Sequence, residues 1–293
     1  MAEYEYLTLR DGRTLEYLLG GVSSDRALVY CHGTPAPPVP MKEFEQAATE
    51  AGLTLVMPTR PGYGHSTPHP GRSVVDHAQD VRELLDHLDL ASGIAVGWSG
   101  GGPHALALGA ALSDRITGVA TIAGVGPWGD PLFDWLDGMG EGNIEEFGMA
   151  TGPEDAFRAF LEAEAAPLAT VQAEDVVAAM APHLSEVDAN KLSEGEFASA
   201  MAAELRRAFL VGVDGWLEDD YAFMKPWGFE FSEVKVPVSL WQGRQDLMVP
   251  YTHGEYMAAR LPNVKAHLLE NEGHLTLISH LSTMVDEATT LRG

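Results

Sequence analysis

Five residues constrain this chain more than any others: Gly97-Trp98-Ser99-Gly100-Gly101. They follow the apolar run Ile94-Ala95-Val96, which reads as a strand, and lead through Gly102 into a helix-forming stretch that reaches Leu112. A strand that turns into a helix across one serine forces that serine into a strained backbone conformation, so its neighbours cannot carry bulky β-carbons. Gly97, Gly100 and Gly101 meet that demand. The hydroxyl then stands at a helix N-terminus, where partial positive charge favours a developing oxyanion. This is the setting of a nucleophile elbow. The bland alternative is a tight turn that only packs a helix on a strand. A dinucleotide fingerprint is set aside, because no G-x-G-x-x-G follows the first strand of a βαβ unit.

Around this turn, short apolar runs alternate with helical patterns, the rhythm of βα units in a mostly parallel sheet. Asp11-Gly12 between Tyr4–Leu9 and Arg13–Leu19 signals an opening antiparallel hairpin. Further strands are expected at Ala27–Cys31, Leu53–Met57, Gly93–Gly97, Gly118–Ala123, Val236–Trp241 and Lys265–Leu269. Val74, Ala78, Val81, Leu85 and Leu88 form one stripe of an amphipathic helix. From about Pro127 to Phe231 the strand-like runs stop. Ala-, Glu- and Met-rich helical patterns replace them, as in Glu154–Ala165 and Glu196–Gly212. The expected organisation is a core of 1–127 and 231–293 with a helical cap, 128–230, inserted between two strands.

Several classes are disfavoured by composition. The chain carries 18 basic and 43 acidic residues, a net charge of −25. Nucleic acid is a poor partner for such a surface, since phosphates need a basic face to displace their counterions. Residues 130–230 hold 22 acidic against 5 basic residues. No run approaches the roughly 18 apolar residues of a membrane helix. Met1–Arg10 is acidic and aromatic rather than basic then apolar, so a cytoplasmic enzyme is the expectation. The single cysteine, Cys31, forms no internal disulfide and reads as a small buried hydrophobe. No H-E-x-x-H or clustered ligand motif is present, and neither metal nor cofactor is expected.

Four markers in order give the chain a family likeness. Cys31-His32-Gly33-Thr34-Pro35 follows a strand, and Arg60-Pro61-Gly62-Tyr63-Gly64-His65-Ser66 lies further on. The elbow at Ser99 comes third, and Gly243–Asp246 with Gly273-His274 completes the set. Along nearly its whole length the sequence resembles the α/β-hydrolase superfamily. That resemblance implies a mostly parallel eight-stranded sheet with helices on both faces and an inserted helical cap. It implies Ser99 as nucleophile and the backbone N–H groups of Thr34 and Gly100 as oxyanion donors. His32 is then a structural histidine that hydrogen-bonds its loop. Serine needs a proton acceptor to react at neutral pH. Of the 11 histidines, His274 follows the last strand, where the family places its base. Asp246 precedes it after a late strand, in the order Ser, Asp, His, and would orient the imidazole. Asp130 is the alternative acid, since some relatives place theirs after the sixth strand.

In this superfamily the cap roofs the pocket. Trp98 beside the nucleophile, with Trp128, Trp135, Met139, Trp216 and Tyr221 from the cap, are the candidate lining, although residues of this kind also form a cap's own core. Asp214–Asp220 is similar to a stretch in bacterial, especially actinobacterial, members. Prolyl-aminopeptidase relatives carry a Trp after the serine and a D-Q-R-G loop. Here Gly100 and Thr59-Arg60-Pro61-Gly62 stand in those places, which argues against that activity. The expected function is cofactor-free hydrolysis of an ester or lactone of a small, largely apolar molecule, neutral or cationic rather than anionic, through an acyl-enzyme. Amide or C–C hydrolysis, or perhydrolysis, on the same site is the enzymatic alternative. A small-molecule binding protein on this fold is the rival from another class. Epoxide and haloalkane hydrolysis are not expected, because those relatives use an Asp where Ser99 stands. The oligomeric state is left open.

Overall fold

The computed structural model of the chain describes residues 3–180 and 184–291. Residues 1–2 and 292–293 of the expected core, and 181–183 of the expected cap, lie outside the described residues. Eight strands form one sheet: β1 (Glu5–Thr8), β2 (Thr14–Gly21), β3 (Arg26–Cys31), β4 (Thr54–Pro58), β5 (Ser92–Trp98), β6 (Ile116–Ile122), β7 (Val238–Gly243) and β8 (Val264–Leu269). Their order across the sheet is β1-β2-β4-β3-β5-β6-β7-β8. β1 and β2 pair antiparallel through the Asp11-Gly12 turn, and β2 runs antiparallel to β4. All later pairs are parallel. The mostly parallel eight-stranded sheet expected from the sequence is present. The seventh strand starts at Val238 rather than Val236, because Pro237 has no N–H to give to a ladder.

Parallel strands are covered on both faces, and the side-chain period of two sorts each strand between them. In β3, Ala27, Val29 and Cys31 join one apolar cluster, while Leu28 and Tyr30 join the other. The first face is covered by α2 (His77–His87) and α3 (Gly101–Ala111), the second by α1 (Lys42–Glu50) and α11 (Leu281–Thr290). The amphipathic stripe found in the sequence becomes α2, with Ala78, Val81, Leu84 and Leu85 buried. α3 is apolar nearly all round and is buried from Gly101 to Gly109. No helix among the described residues is long and apolar enough to cross a membrane.

Between β6 and β7 the described chain contains α4 (Glu141–Ala150), α5 (Glu154–Leu168), α6 (Val176–Met180), α7 (Glu186–Leu192), α8 (Gly195–Ala208) and α9 (Asp214–Phe223). Phe157, Leu161, Ala165, Trp216 and Leu217 give this helical segment an apolar cluster of its own. Helix α8 stops short of the expected Gly212, which adopts a left-handed φ of 112°. A further helix, α10 (Tyr251–Ala258), links β7 to β8.

The chain leaves β3 outward to β4, then crosses back to β5 on the other side of β3. Such a switch opens a crevice beyond the carboxyl ends of the strands, the usual ligand site in a parallel sheet. Cys31 pairs with Gly97, Trp98 with Ile122, Ile122 with Trp241 and Gly243 with Leu269. The ends of β3, β5, β7 and β8 are therefore level. The loops leaving them carry Thr34, Ser99, Asp246 and His274.

Candidate active site

Ser99 links β5 to α3 with φ +55°, a left-handed conformation rare for a residue with a β-carbon. Its N–H donates to the Ile122 carbonyl at 2.8 Å, and its carbonyl accepts from Gly102 N–H at 2.9 Å, so both flanking elements hold the turn. The tightness behind it is visible at Gly101, where a β-carbon would lie 1.9 Å from the Cys31 carbonyl oxygen. Gly33 packs beside the serine: a β-carbon there would stand 3.6 Å from that of Ser99. A β-carbon on Gly100 would meet Thr34 Oγ1 at 2.5 Å, so Thr34 and Gly100 adjoin. Among the described residues, neither of their backbone N–H groups has an acceptor.

His274 Nδ1 lies 2.8 Å from Asp246 Oδ2, with both residues 3 % exposed. The Asp246 carboxyl also accepts from Met248 N–H and Val249 N–H at 2.8 Å and from Gln242 Nε2 at 3.1 Å. Burial raises this carboxyl, while the imidazole and the Val249 N–H oppose the rise. With Nδ1–H donating to Asp246, Nε2 is the nitrogen left to accept a proton. Burial alone would lower the His274 imidazole, but the bonded Asp246 carboxylate, with Asp188 behind, holds it above its ordinary range. Ser99 and His274 line the same small lobe of a pocket, walled by Trp98, whose ring stacks on His274 at 6.3 Å. Asp130 lies elsewhere. It accepts from Tyr256 OH at 2.6 Å and from Leu132 N–H at 2.9 Å.

His32, His253, His104 and His280 each make structural hydrogen bonds. His32 Nδ1 bonds the Gly33 carbonyl at 2.7 Å and Nε2 accepts from Arg60 N–H at 3.0 Å, which fixes the loop before Thr34. His253 joins Gly126 N–H to the Trp135 carbonyl, each at 2.9 Å, and burial lowers it to about 4. His104 bonds the Gly100 carbonyl at 2.9 Å, and His280 bonds Glu272 at 3.1 Å.

Three buried aspartates of the helical segment, Asp188, Asp219 and Asp220, escaped the sequence reading. Asp219, on α9, accepts from Thr34 Oγ1 at 2.6 Å, Tyr63 OH at 2.9 Å, Arg60 at 2.5 Å and Arg72 at 2.7 Å. Burial would raise its carboxyl, but Arg60 and Arg72 hold it well below the usual carboxylate range. Arg60 also donates to the Gly33 carbonyl and to Thr34 Oγ1, each at 2.9 Å. The Arg60–Tyr63 motif thus positions the loop carrying Thr34. Asp188, on α7, accepts from the backbone N–H of His274 at 2.8 Å, Leu275 at 2.7 Å and Thr276 at 3.2 Å. It fills the space beside Gly273, where a β-carbon would stand 2.3 Å from Asp188 Oδ2. The local signal for Asp219 was its place in Asp214–Asp220; nothing nearby in sequence marked Asp188.

A larger lobe, about 290 Å³, adjoins the small one and shares Thr34, Pro35 and Ser99 with it. Of the aromatic and Met candidates, Trp98 lines the small lobe, and Met139 and Trp216 line the large one. Trp128, Trp135 and Tyr221 are not among the lining residues. Trp128 packs on Trp135, whose indole N–H donates to the Gly126 carbonyl at 2.6 Å, and Tyr221 packs edge-on against Phe157.

Comparison with known proteins agrees with this architecture. Residues 26–281 match the model of a family described as alpha/beta hydrolase fold. YcgS, an uncharacterized hydrolase of Bacillus subtilis strain 168, is 31 % identical over 107 residues. The match spans 36 % of each chain, about a third of that relative's length. The enol-lactonase of Burkholderia xenovorans LB400 superposes with a TM-score of 0.71 at 19 % identity, covering 98 % of this chain and 100 % of its own. The epoxide hydrolase CorEH also gives 0.71, at 20 % identity over 98 % and 97 %. At such identities a likeness speaks for the fold alone. With the family model spanning most of its length, the chain belongs to the α/β-hydrolase fold family.

Proposed function

We propose that this protein is a serine hydrolase that cleaves a carboxylic ester or lactone of a small, largely apolar molecule. The observation that carries the reading is the 2.8 Å contact of His274 Nδ1 with Asp246, beside a serine at φ +55° lining the same lobe. Ser99 Oγ bonds to the carbonyl carbon while its proton passes to His274 Nε2. The carbonyl oxygen becomes an oxyanion that accepts hydrogen bonds from Thr34 N–H and Gly100 N–H. Collapse of this intermediate breaks the bond to the alkoxide, which takes the proton from His274 Nε2–H. Water then attacks the acyl-enzyme by the same route, giving its proton to His274, and the acid leaves as Ser99 regains its proton. Asp246 holds the tautomer and stabilises the imidazolium throughout. Each role is filled by a group of this chain.

The helical segment 128–230 serves as the cap over the pocket, and a neutral or cationic substrate suits its acidic walls. The test is turnover of p-nitrophenyl esters of graded chain length, and of lactones, by wild type and Ser99→Ala. Alanine in the same turn should cost on the order of 10⁶ in kcat. Comparable esterase activity in the two purified proteins would reject the proposal.

A further inference from the structure

The acyl-transfer mechanism uses only one end of the pocket. The larger lobe extends from Ser99 and Gly100 to walls that combine aromatic rings, including Phe147 and Trp216, with the carboxyl groups of Glu145, Glu146, Glu164 and Asp220. No lysine or arginine among the described residues lines either lobe. Asp220 is 1 % exposed, yet neither of its oxygens has a hydrogen-bond donor among the described residues. Glu146 stands against it and accepts from Trp216 Nε1 at 2.6 Å. The nearby guanidiniums of Arg60 and Arg72 lie behind the wall, both turned onto Asp219.

A buried carboxylate without donors is costly, so such a group either holds a proton or takes a cation. Burial raises Glu146, and burial with the neighbouring Glu146 raises Asp220 well above the carboxylate range. Two facing carboxyls of this kind favour a proton held between them, and a cation entering the lobe can take its place. Aromatic rings beside it add quadrupole attraction for the same charge. A lobe that only enclosed an alkyl chain has no use for the buried, donor-free carboxyl of Asp220 in its wall.

We propose that Glu146 and Asp220 form a binding site for a protonated amine on the substrate, whose acyl carbon lies at Ser99. The claim that the amine belongs to a substrate rests on the hydrolase reading; the site itself does not. Two measurements separate them. Calorimetry on Ser99→Ala protein at pH 8 compares hexylammonium chloride with 1-hexanol. Hexylammonium should bind at least about tenfold tighter, as expected of a desolvated charge-assisted contact, and Glu146→Gln or Asp220→Asn should bring the two within about twofold. Both substitutions are near-isosteric, and the amide oxygen introduced by Glu146→Gln can still accept from Trp216. In turnover by wild type, p-nitrophenyl 6-aminohexanoate should exceed p-nitrophenyl heptanoate in kcat/KM by a similar factor. Equal binding of hexylammonium and hexanol, or a preference that survives both substitutions, would overturn the amine site. If neither ester turns over, the hydrolase reading fails, and the calorimetric ratio still decides the site.

Discussion

Asp188 offers the sharpest test of how the helical segment serves the chemistry. Its Oδ2 accepts from His274 N–H and from Ser185 Oγ, and its Oδ1 accepts from Leu275 and Thr276 N–H. Asp188→Ala leaves three backbone donors bare at a position with no solvent exposure. Each unsatisfied buried donor costs roughly 1–3 kcal/mol, and water entering the vacated space recovers part, so a loss of about 3–5 kcal/mol follows. Asp188→Asn keeps one oxygen but turns an amide N–H₂ toward a donor, and should cost about 1–3 kcal/mol. The charge has a separate effect. Asp188 is one of the groups that hold the His274 imidazole above its ordinary range, and removing a negative charge destabilises the imidazolium. Because the base must be neutral to take the serine proton, the acid limb of kcat/KM moves to lower pH in Asp188→Asn. Misplacement of the imidazole by up to an ångström lowers kcat by as much as about 100-fold. Urea unfolding and a pH profile of an activated ester measure both effects. An acid limb that stays in place or moves upward would refute the electrostatic part. Unchanged stability would refute the clamp.

Asp246→Asn should lower kcat by roughly 10⁴ by favouring the wrong imidazole tautomer, while Asp130→Asn should change it less than about tenfold; kinetics on both variants checks this, and reversed penalties would contradict it. Burial raises Glu204 to about 8 from the ordinary 4.5. Folded protein thus keeps a proton that unfolded chain has released, and stability falls as pH rises between those values. Glu204→Gln should therefore stabilise the protein at pH 8 by on the order of 2 kcal/mol and much less at pH 5, read from thermal unfolding at the two pH values.

The sequence reveals elements whose cause is local. Alternation fixes the strands, the glycines around Ser99 mark the turn, and the order Ser99, Asp246, His274 agrees with groups carried by level strand ends. Long-range contacts were not readable in the same way. Residues 130–230 contain 22 acidic side chains, and nothing in their spacing distinguishes the buried Asp188, Asp219 and Asp220 from solvated neighbours. Asp188 meets His274 across 86 residues, and Asp219 meets Arg60 across 159. Aromatic residues pose the same problem. Trp135 and Trp216 look alike in sequence, yet one is buried around His253 while the other borders the large lobe. The deciding factor is which helix packs where, set by tertiary contacts rather than by local pattern.

The proposed mechanism makes Ser99 a nucleophile activated by His274 and Asp246. Incubation with a fluorophosphonate probe, followed by intact mass and peptide mapping, reads this without knowledge of the substrate. One adduct on Ser99 is predicted, absent in Ser99→Ala and formed far more slowly in His274→Ala. No adduct on folded protein, an adduct on another residue, or an undiminished rate in His274→Ala would contradict it.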